Sequence, residues 1–190
     1  MKFLKESLKK HVEGYVELRY HKRQAFNISV KDGKIDVLNS GAVEGVCARV
    51  LIDGSWGFAS STTLEKEKIA KMLKDASSLA RSSKPKKKRA VKLASLKPYV
   101  DKYETPMKKD PEKADREELV SLVIDVDKAV RDFSKTIVSD TVTFNIVDDN
   151  LAFLNSEGSE IHQRIVRCFG SVMVVAKEKG KHRLCLRKHW

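Results

Sequence analysis

The sequence predicts an α+β fold in which antiparallel sheets are covered by helices. Three observations support this prediction. Runs of β-branched and aromatic residues alternate at period two in both halves of the chain, Asp-Gly pairs punctuate the first of these regions, and two long amphipathic patterns at helical spacing follow. The resulting order is helix, strands, helix, linker, helix, strands, which indicates two similar sheet-and-helix units.

The first segment, MKFLKESLKKHVE, is typical of a short amphipathic helix and lacks the apolar core of a signal peptide. No run in the chain approaches the roughly 18–20 apolar residues that a membrane span needs. The cysteines Cys47, Cys168 and Cys185 are too few and too scattered for a disulfide framework. We therefore expect a cytoplasmic protein that has no membrane partner.

Strand patterns begin at Tyr15, in the runs YVELRYH, AFNISVKDGKIDVLNS and GVCARVLIDGSWGFAS. Asp32-Gly33 lies between two apolar alternations, which is the strongest short-range signal for a hairpin, and Asp53-Gly54 marks a second turn. Gly57 follows that turn, where it relieves crowding. The pattern predicts a meander of antiparallel strands.

The segment LEKEKIAKMLKDASSLARSS predicts a helix that covers the apolar side of the meander, with Thr62 or Thr63 as its N-cap. The three prolines that follow, Pro98, Pro106 and Pro111, predict an extended, irregular connection.

Asp115 is the expected N-cap of a second helix, REELVSLVIDVDKAVRDFSK. Strand patterns then return in TVTFNIVDD, NLAFLNSEG and IVRCFGSVMVVAKE.

These patterns give provisional boundaries. Residues 1–83 hold the N-terminal helix, the meander and the covering helix, and residues 84–114 form a basic, proline-spaced linker. Residues 115–180 hold a helix and antiparallel strands, and residues 181–190 form a basic tail. We expect the whole to make one compact domain.

Cys47 and Arg49 are the first candidates for chemistry, as a nucleophile and an anion clamp. A nucleophilic cysteine needs a lowered pKa, usually from a histidine or a helix N-terminus. Cys47 instead alternates with Val46, Ala48 and Val50 in a strand, which favours a structural role. For Arg49 the pattern favours pairing with a carboxylate over binding a ligand.

The histidines suggest no complete metal site. His11, His21, His162, His182 and His189 form no His-Glu-x-x-His pattern, in which two imidazoles one helical turn apart bind zinc. Only HRLCLRKHW has metal-like spacing, with His182, Cys185 and His189, and three ligands do not complete a structural tetrahedral site. We interpret this segment as a frayed basic tail.

The net charge of +12 raises the alternative of nucleic-acid binding, since Lys84, Lys86, Lys87, Lys88 and Arg89 form a basic run. No aromatic residue interleaves with the run and no nucleic-acid-binding motif accompanies it. A run that follows a helix is also favourable to the helix dipole. From the residues alone, the chain is an α+β domain without a complete active site.

Three stretches together resemble the TldD/PmbA family. The first is GVCARVLIDGSWGFAS, which a helix follows at once, and the second is VKLASLKPYVDKYETPMKKDPEKADREELVSLV, with Asp110-Pro111. The third is FLNSEGSEIHQRIVRCFGSVMVVAKEKG, with Asn155-Ser156-Glu157-Gly158. The resemblance runs in family order from about Tyr15 to about Gly180.

This resemblance implies a cytoplasmic zinc metallopeptidase of a family also named as modulators of DNA gyrase. In the family, the TldD-type subunit holds zinc through a His-Glu-x-x-x-His helix and a later cysteine, and it pairs with a metal-free PmbA-type (TldE) subunit. The pair degrades or trims peptides and unfolded proteins. Zinc would polarise the scissile carbonyl and activate water, with the glutamate as base.

The chain departs from the family at that zinc motif, because it contains no His-Glu-x-x-x-His. No catalytic, cofactor-binding or metal-binding residue is carried over. Cys47 stands where the family more often has a small residue such as glycine, and it is not the zinc-binding cysteine. A truncated, frameshifted or split gene would explain the departure.

The expected role is an N-terminal, non-catalytic domain or fragment of a TldD/PmbA-type peptidase that forms scaffold, substrate-chamber or dimer surface and is inactive alone. Its expected partners are a TldD/PmbA-type subunit, in a homo- or hetero-oligomer, and peptide or unfolded-protein substrates of the full complex. No cofactor is expected in this chain. The alternative is a basic nucleic-acid-binding or DNA-gyrase-modulating module, although nucleic acid is not the expected partner.

Overall fold

A computed structural model of the chain describes residues 2–11, 13–83 and 89–189. Its helices and strands are α1 (Lys2–Lys10), β1 (Tyr15–Lys31), β2 (Lys34–Ile52), β3 (Ser55–Ser61), α2 (Lys66–Ser83), β4 (Val100–Glu104), a 3-10 turn (Pro111–Lys113), α3 (Arg116–Phe133), β5 (Ile137–Asn155), β6 (Glu160–Glu178) and β7 (Lys181–His189). None of the helices in these described ranges combines the length and the hydropathy needed to cross a bilayer.

The strands are hydrogen-bonded in the order β3-β2-β1-β5-β6-β4, and β7 also pairs with β6. β2 and β3 are antiparallel, as are β6 and β7, whereas β4 runs parallel to β6. A mostly antiparallel sheet with three helices is an α+β fold, so the predicted fold class is confirmed.

Both Asp-Gly pairs form the predicted two-residue turns. Asp32 and Gly33 have φ values of 50° and 80°, and Asp53 and Gly54 have values of 49° and 73°. Positive φ at both central residues gives the turn twist that matches a β-hairpin, and an aspartate followed by glycine tolerates it. The strands beside these turns are longer than predicted, because adjoining runs fuse into β1 and β2, of 17 and 19 residues.

The chain divides into two compact units. Unit 1 comprises Met1–Arg23, Val43–Glu104 and Asp149–Arg164, and unit 2 comprises Gln24–Ala42, Thr105–Asp148 and Ile165–Trp190. β1, β2, β5 and β6 therefore contribute residues to both units.

In unit 1 the helices α1 and α2 form an apolar core with β1, β2 and β5. The core residues are Leu4, Leu8, Val16, Leu18, Val46, Ala48, Val50, Ile52, Ile69, Met72, Leu73, Ala76, Ala80, Ala152 and Leu154. α2 packs against β3 at Gly57, where a Cβ atom would lie 1.8 Å from the carbonyl oxygen of Ala76. The predicted relief of crowding by Gly57 is confirmed, since only glycine permits this approach.

Unit 2 has a smaller core beside α3, made of Phe26, Ile28, Val30, Val123, Val142 and Ile146. The Asp115 carboxylate accepts a hydrogen bond from the amide of Glu117 at 2.9 Å, so the predicted N-cap of α3 is confirmed. Only Val123 and Asp127 of the 18 residues of α3 are buried. An apolar groove of about 680 Å³ lies along the helix, where Phe133 is 87% exposed.

Three local predictions need correction. The covering helix begins at Lys66, so neither Thr62 nor Thr63 is its N-cap, and the Ser61 hydroxyl instead accepts the amide of Thr63 at 3.0 Å. The proline-spaced connection, expected to be irregular, contains β4, because its backbone can pair with β6 between the prolines.

The basic tail is also not frayed, since Lys181–His189 form β7. A Lys179-Gly180 turn reverses the chain, with φ values of 48° and 77°. Backbone pairing at a sheet edge does not need apolar side chains, so the charge of the segment does not prevent it from forming a strand.

Candidate functional site

The alternation of β2 decides where Cys47 and Arg49 point. Val46, Ala48 and Val50 are buried in the core of unit 1, whereas Cys47 and Arg49 lie on the opposite side of the strand. Burial raises the pKa of the Cys47 thiol above its ordinary value. The thiol therefore lacks the lowered pKa that a catalytic cysteine needs at neutral pH.

The side of the unit 1 sheet opposite its core carries connected charged and aromatic side chains, which we call the charged face. Its members are Tyr15, Glu17, Arg19, His21, Arg23, Cys47, Arg49, Trp56, Asp149 and Phe153. They come from β1, β2, β3 and β5. Because alternate side chains of a strand share one face, the period-two set on β1 runs along the length of this surface.

Glu17 of β1 links this strand to β2 at the centre of the charged face. Its side chain is almost fully buried, and its Oε1 atom accepts from the Nε of Arg19 at 3.2 Å and pairs with the Nη1 of Arg49 at 3.1 Å. Its Oε2 accepts from the hydroxyl of Tyr15 at 3.1 Å. A buried carboxylate is costly unless it is paired, so these donors permit its burial. The expected pairing of Arg49 with a carboxylate is confirmed.

Aromatic rings hold both guanidinium groups from a second side. The guanidinium carbon of Arg49 lies 4.3 Å from the centre of the Trp56 ring, and that of Arg19 lies 5.2 Å from the centre of the Phe153 ring. Tyr15 meets Trp56 edge to face, with the ring centres 6.0 Å apart. Cation–π contacts of this kind fix the planes of the guanidinium groups.

Asp149 forms a second anchor on the same face and is also buried. Its Oδ1 lies 2.7 Å from the Nε2 of His21 and accepts from the Nε of Arg23 at 2.7 Å, while its Oδ2 accepts from an Nη of Arg23 at 3.1 Å. The two contacts to one carboxylate fix the orientation of the Arg23 guanidinium group. The charged face therefore presents prepositioned cations beside aromatic rings.

A shallow depression of about 370 Å³ lies on this face. Arg19, His21 and Cys47 line it together with Ser60 of β3, which pairs with Cys47, and Glu44 of β2. The Glu44 carboxylate accepts from the hydroxyl of Tyr20, and burial together with this contact raises the pKa of Tyr20 to about 12.

A different polar cluster lies in unit 2, where α3 meets the β1–β2 turn and β5. Asp127 accepts two hydrogen bonds from Arg131, at 2.9 and 3.0 Å, and one from the amide of Gly33 at 3.2 Å. Asp140 is 1% exposed, and neither of its carboxyl oxygens has a donor among the described residues. Burial, and then the charge of Asp127, raise the pKa of Asp140 to about 6. A carboxyl pair of this kind is satisfied when the two groups share a proton.

The histidines are dispersed. The Nε2 of His11 lies 3.2 Å from the hydroxyl of Ser77, and that of His162 lies 2.9 Å from Glu160. His182 and Cys185 are three residues apart on β7 and so lie on opposite faces. The side chain of His189 is outside the described residues.

Across residues 2–11, 13–83 and 89–189, no three His, Cys, Asp or Glu side chains are grouped so that they could hold a metal ion. The described residues do not fit the catalytic zinc site that the resemblance implies. The basic run proposed for nucleic acid, Lys84 to Arg89, lies outside the described residues except for Arg89.

Sequence reasoning singled out Arg49 but missed Glu17 and Asp149, the two anchors. One signal was available, since Glu17, Arg19 and His21 are polar at period two between apolar residues, which marks a charged strand face. Asp149 carries no local signal, because its partner Arg23 is 126 residues away.

Comparison with family models gives two matches in chain order. Residues 16–80 match PmbA/TldA metallopeptidase domain 1, and residues 109–184 match the PmbA/TldA metallopeptidase central domain. All members of the charged face except Tyr15, Asp149 and Phe153 lie in the domain 1 match, and Asp149 and Phe153 lie in the central-domain match.

Two curated relatives are archaeal metalloproteases. The chain is 34% identical over 169 residues to a metalloprotease of Methanocaldococcus jannaschii, covering 89% of this chain and 37% of the relative. It is 33% identical over 153 residues to a metalloprotease of Methanothermobacter thermautotrophicus, covering 80% of this chain and 32% of that protein. The chain thus spans about a third of the length of these relatives.

Solved structures show the same fold at low identity. TldE from Thermococcus kodakarensis superposes with a TM-score of 0.75 at 17% identity, over 98% of this chain and 42% of that one. A protein of Thermotoga maritima, proposed to modulate a DNA gyrase, gives a TM-score of 0.73 at 17% identity, over 98% and 41% of the two chains.

Proposed function

The chain belongs to the PmbA/TldD metallopeptidase family, and on that premise we propose that it is a non-catalytic part of such a peptidase. Its role is to supply scaffold and substrate-facing surface to a complex that carries out proteolysis in the cytoplasm. The observation that carries the proposal is the pair of ordered matches, to domain 1 over residues 16–80 and to the central domain over residues 109–184.

The chemistry of the described residues supports a non-catalytic role. A zinc peptidase needs protein ligands on the metal and a base beside them. The sequence contains no His-Glu-x-x-x-His, and the described part of the chain groups no three candidate ligands. The proposal therefore assigns no hydrolytic step to any of these 190 residues.

The charged face is the surface that we assign to the substrate. An extended or unfolded peptide presents backbone carbonyl oxygens, apolar side chains and carboxylates. Guanidinium N–H groups can donate to the carbonyl and carboxylate oxygens, and the half-buried aromatic rings can contact the apolar side chains. Because Arg19, Arg49 and Arg23 are held by buried carboxylates, they can act on a ligand without first being ordered.

We also assign to the chain a partner of the same family, a TldD/PmbA-type subunit that holds the zinc. The archaeal metalloproteases that it resembles are about three times as long as the matched regions, as expected if further domains supply the catalytic groups.

The first experiment measures zinc by elemental analysis and peptidase activity of the purified chain. We expect zinc well below one equivalent and no turnover of a fluorogenic peptide mixture or of unfolded casein. Stoichiometric zinc together with turnover that a chelator abolishes would overturn the non-catalytic assignment.

The second experiment tests assembly and substrate binding. The tagged chain is co-expressed with the Methanocaldococcus jannaschii metalloprotease, and separately titrated with reduced, carboxymethylated casein. We expect a complex that survives gel filtration, and casein binding in the micromolar range. Absence of a complex at micromolar concentration contradicts the assembly proposal, and absence of casein binding contradicts the substrate-facing role.

A further inference from the structure

Arg19 and Arg49 lie on either side of a single atom. Both guanidinium groups contact the Oε1 of Glu17, at 3.2 and 3.1 Å, although they come from different strands. Glu17 accepts one N–H from Arg19 and forms an ion pair with one nitrogen of Arg49, and a guanidinium group has five N–H donors. Further donors therefore remain on both groups beside the buried carboxylate.

These remaining donors face solvent. The Arg19 side chain is 57% exposed and the Arg49 side chain is 39% exposed, whereas Glu17 is 7% exposed. Phe153 and Trp56 each support one of the guanidinium planes. The two guanidinium groups are therefore held in place. A ligand that accepts hydrogen bonds from both does not have to order two flexible side chains.

Space for a ligand lies next to the pair. Arg19 lines the depression of about 370 Å³, and Cys47, which precedes Arg49 by two residues on β2, forms part of its wall. The volume accommodates a side chain and a short piece of backbone. A group bound to the arginines would place its neighbouring atoms against Cys47 and Ser60, which are small and uncharged.

The charges of the face select the kind of anion. Arg19, Arg49 and Arg23 are paired with two carboxylates of the charged face, Glu17 and Asp149. Glu44 lies on the core side of β2, where it accepts from Tyr20. These three arginines and two carboxylates together carry a formal charge of +1, which suits one anionic group. A polyanion such as nucleic acid needs an excess of positive charge, whereas a single carboxylate needs only a correctly placed guanidinium fork.

We propose that Arg19 and Arg49 form a binding site for one carboxylate group of a peptide, with the adjacent depression taking the residue that bears it. The carboxylate is the C-terminal group of the peptide or the side chain of an aspartate or glutamate, which have the same chemistry. This inference rests on the proposed substrate-facing role and specifies its ligand.

The test uses the whole 190-residue chain and three synthetic pentapeptides of one apolar sequence. The first has a free C-terminal carboxylate and an acetylated N-terminus, the second is amidated and contains one aspartate, and the third is amidated and neutral. Binding is followed by the arginine Nε–Hε signals in two-dimensional ¹H–¹⁵N NMR spectra at fixed low salt.

We expect at least one of the two carboxylate peptides to bind about tenfold more tightly than the neutral peptide, with shifts in the Arg19 and Arg49 signals. Arg19→Gln and Arg49→Gln should each remove this preference. Arg81→Gln is the matched control, because Arg81 also pairs with a glutamate, Glu13, on the surface of unit 1. Its preference should be unchanged.

The outcomes separate the two proposals. The C-terminal and side-chain sources are distinguished by which of the first two peptides gains affinity. If all three peptides bind equally, or if Arg81→Gln removes the preference as strongly as Arg49→Gln, carboxylate recognition is overturned while peptide binding stands. If no peptide binds and casein also fails to bind, both the carboxylate site and the substrate-facing role are overturned.

Discussion

Glu17 in unit 1 and Asp140 in unit 2 are both buried carboxylates, and they are stabilised in opposite ways. Glu17 has two guanidinium partners and a phenol, whereas Asp140 has no donor among the described residues and lies against a second carboxyl group. The negative charge of Glu17 is neutralised by its cationic partners, whereas the burial of Asp140 is relieved when it binds a proton.

The helices of the two units also differ, in how closely they pack against the sheet. α2 buries six of its residues and lies directly on Gly57, whereas α3 buries two and leaves an apolar groove of about 680 Å³ beside it. Unit 1 has close helix packing and a compensated charge, and unit 2 has loose packing and an uncompensated one. An added methyl group should therefore be costly in unit 1 and tolerated in unit 2, and removal of the buried charge should destabilise unit 1 and stabilise unit 2.

The largest effect is expected from Gly57→Ala. The added Cβ would lie 1.8 Å from the Ala76 oxygen and 2.6 Å from the Ala80 nitrogen, so α2 must move away from β3. We expect a loss of about 3 kcal/mol in the free energy of unfolding, measured with urea.

Gly170→Ala is the matched change in unit 2, since its Cβ would meet only a Phe144 ring carbon, at 3.9 Å. It should leave the free energy of unfolding within about 0.5 kcal/mol of the parent. Equal losses in the two variants would contradict close packing in unit 1 and loose packing in unit 2.

The next effect has the opposite sign. Asp140→Asn removes the uncompensated charge and supplies an N–H donor toward Asp127, so the protein should become about 2 kcal/mol more stable at pH 8. Asp125→Asn is the control, because Asp125 is exposed on the same helix as Asp127 and should change little. A loss of stability in Asp140→Asn would mean that the ionised carboxylate has a favourable partner.

The pH dependence follows from the same group. The pKa of Asp140 is raised from 3.8 to about 6 in the folded protein, so between these values the native state holds more protons than the unfolded chain. Stability contributed by this group is present below pH 4 and is lost as the pH rises through about 6. The difference in unfolding free energy between the parent and Asp140→Asn should widen from about pH 4 to about pH 6 and then stay constant. A difference that does not vary with pH would contradict a raised pKa of Asp140 in the folded protein.

The smallest effect is expected from Glu17→Gln. Both arginines are partly exposed and can be solvated when the carboxylate is removed, so the loss should be only about 1 kcal/mol. Added salt should reduce the difference from the parent. Glu13→Gln breaks a surface pair with Arg81 in which both side chains are about half exposed, and it should leave the urea midpoint unchanged. A loss as large as that of Gly57→Ala would show that Glu17 holds the strands together.

The features predicted correctly from the sequence are local ones. Asp32-Gly33 and Asp53-Gly54 specify turns within four residues, and Asp115 caps α3 through an amide two residues away. Strand lengths were underestimated because polar positions in the middle of a long strand resemble strand ends in the sequence. β7 was missed for a related reason, since backbone pairing at an edge does not depend on the charge of the side chains.

The candidate site was predictable only in part. Arg49 could be singled out because an arginine inside an apolar strand needs a partner, and the alternation gave the side on which Cys47 lies. The partner itself could not be identified, because Glu17 and Arg49 meet through sheet register, and Asp149 meets Arg23 across 126 residues. The family resemblance indicated the zinc motif that this sequence lacks. It did not indicate the arginine–carboxylate contacts that the structure contains.

β7 has a consequence for how the protein behaves in concentrated solution. Among the described strands it pairs only with β6, and it exposes Leu184 and Leu186. A free edge with apolar residues favours pairing between molecules, and charged flanking residues such as Arg183 and Arg187 oppose it. The basic residues of this segment therefore act as gatekeepers against self-association, and polyanions that neutralise them should promote aggregation through this strand.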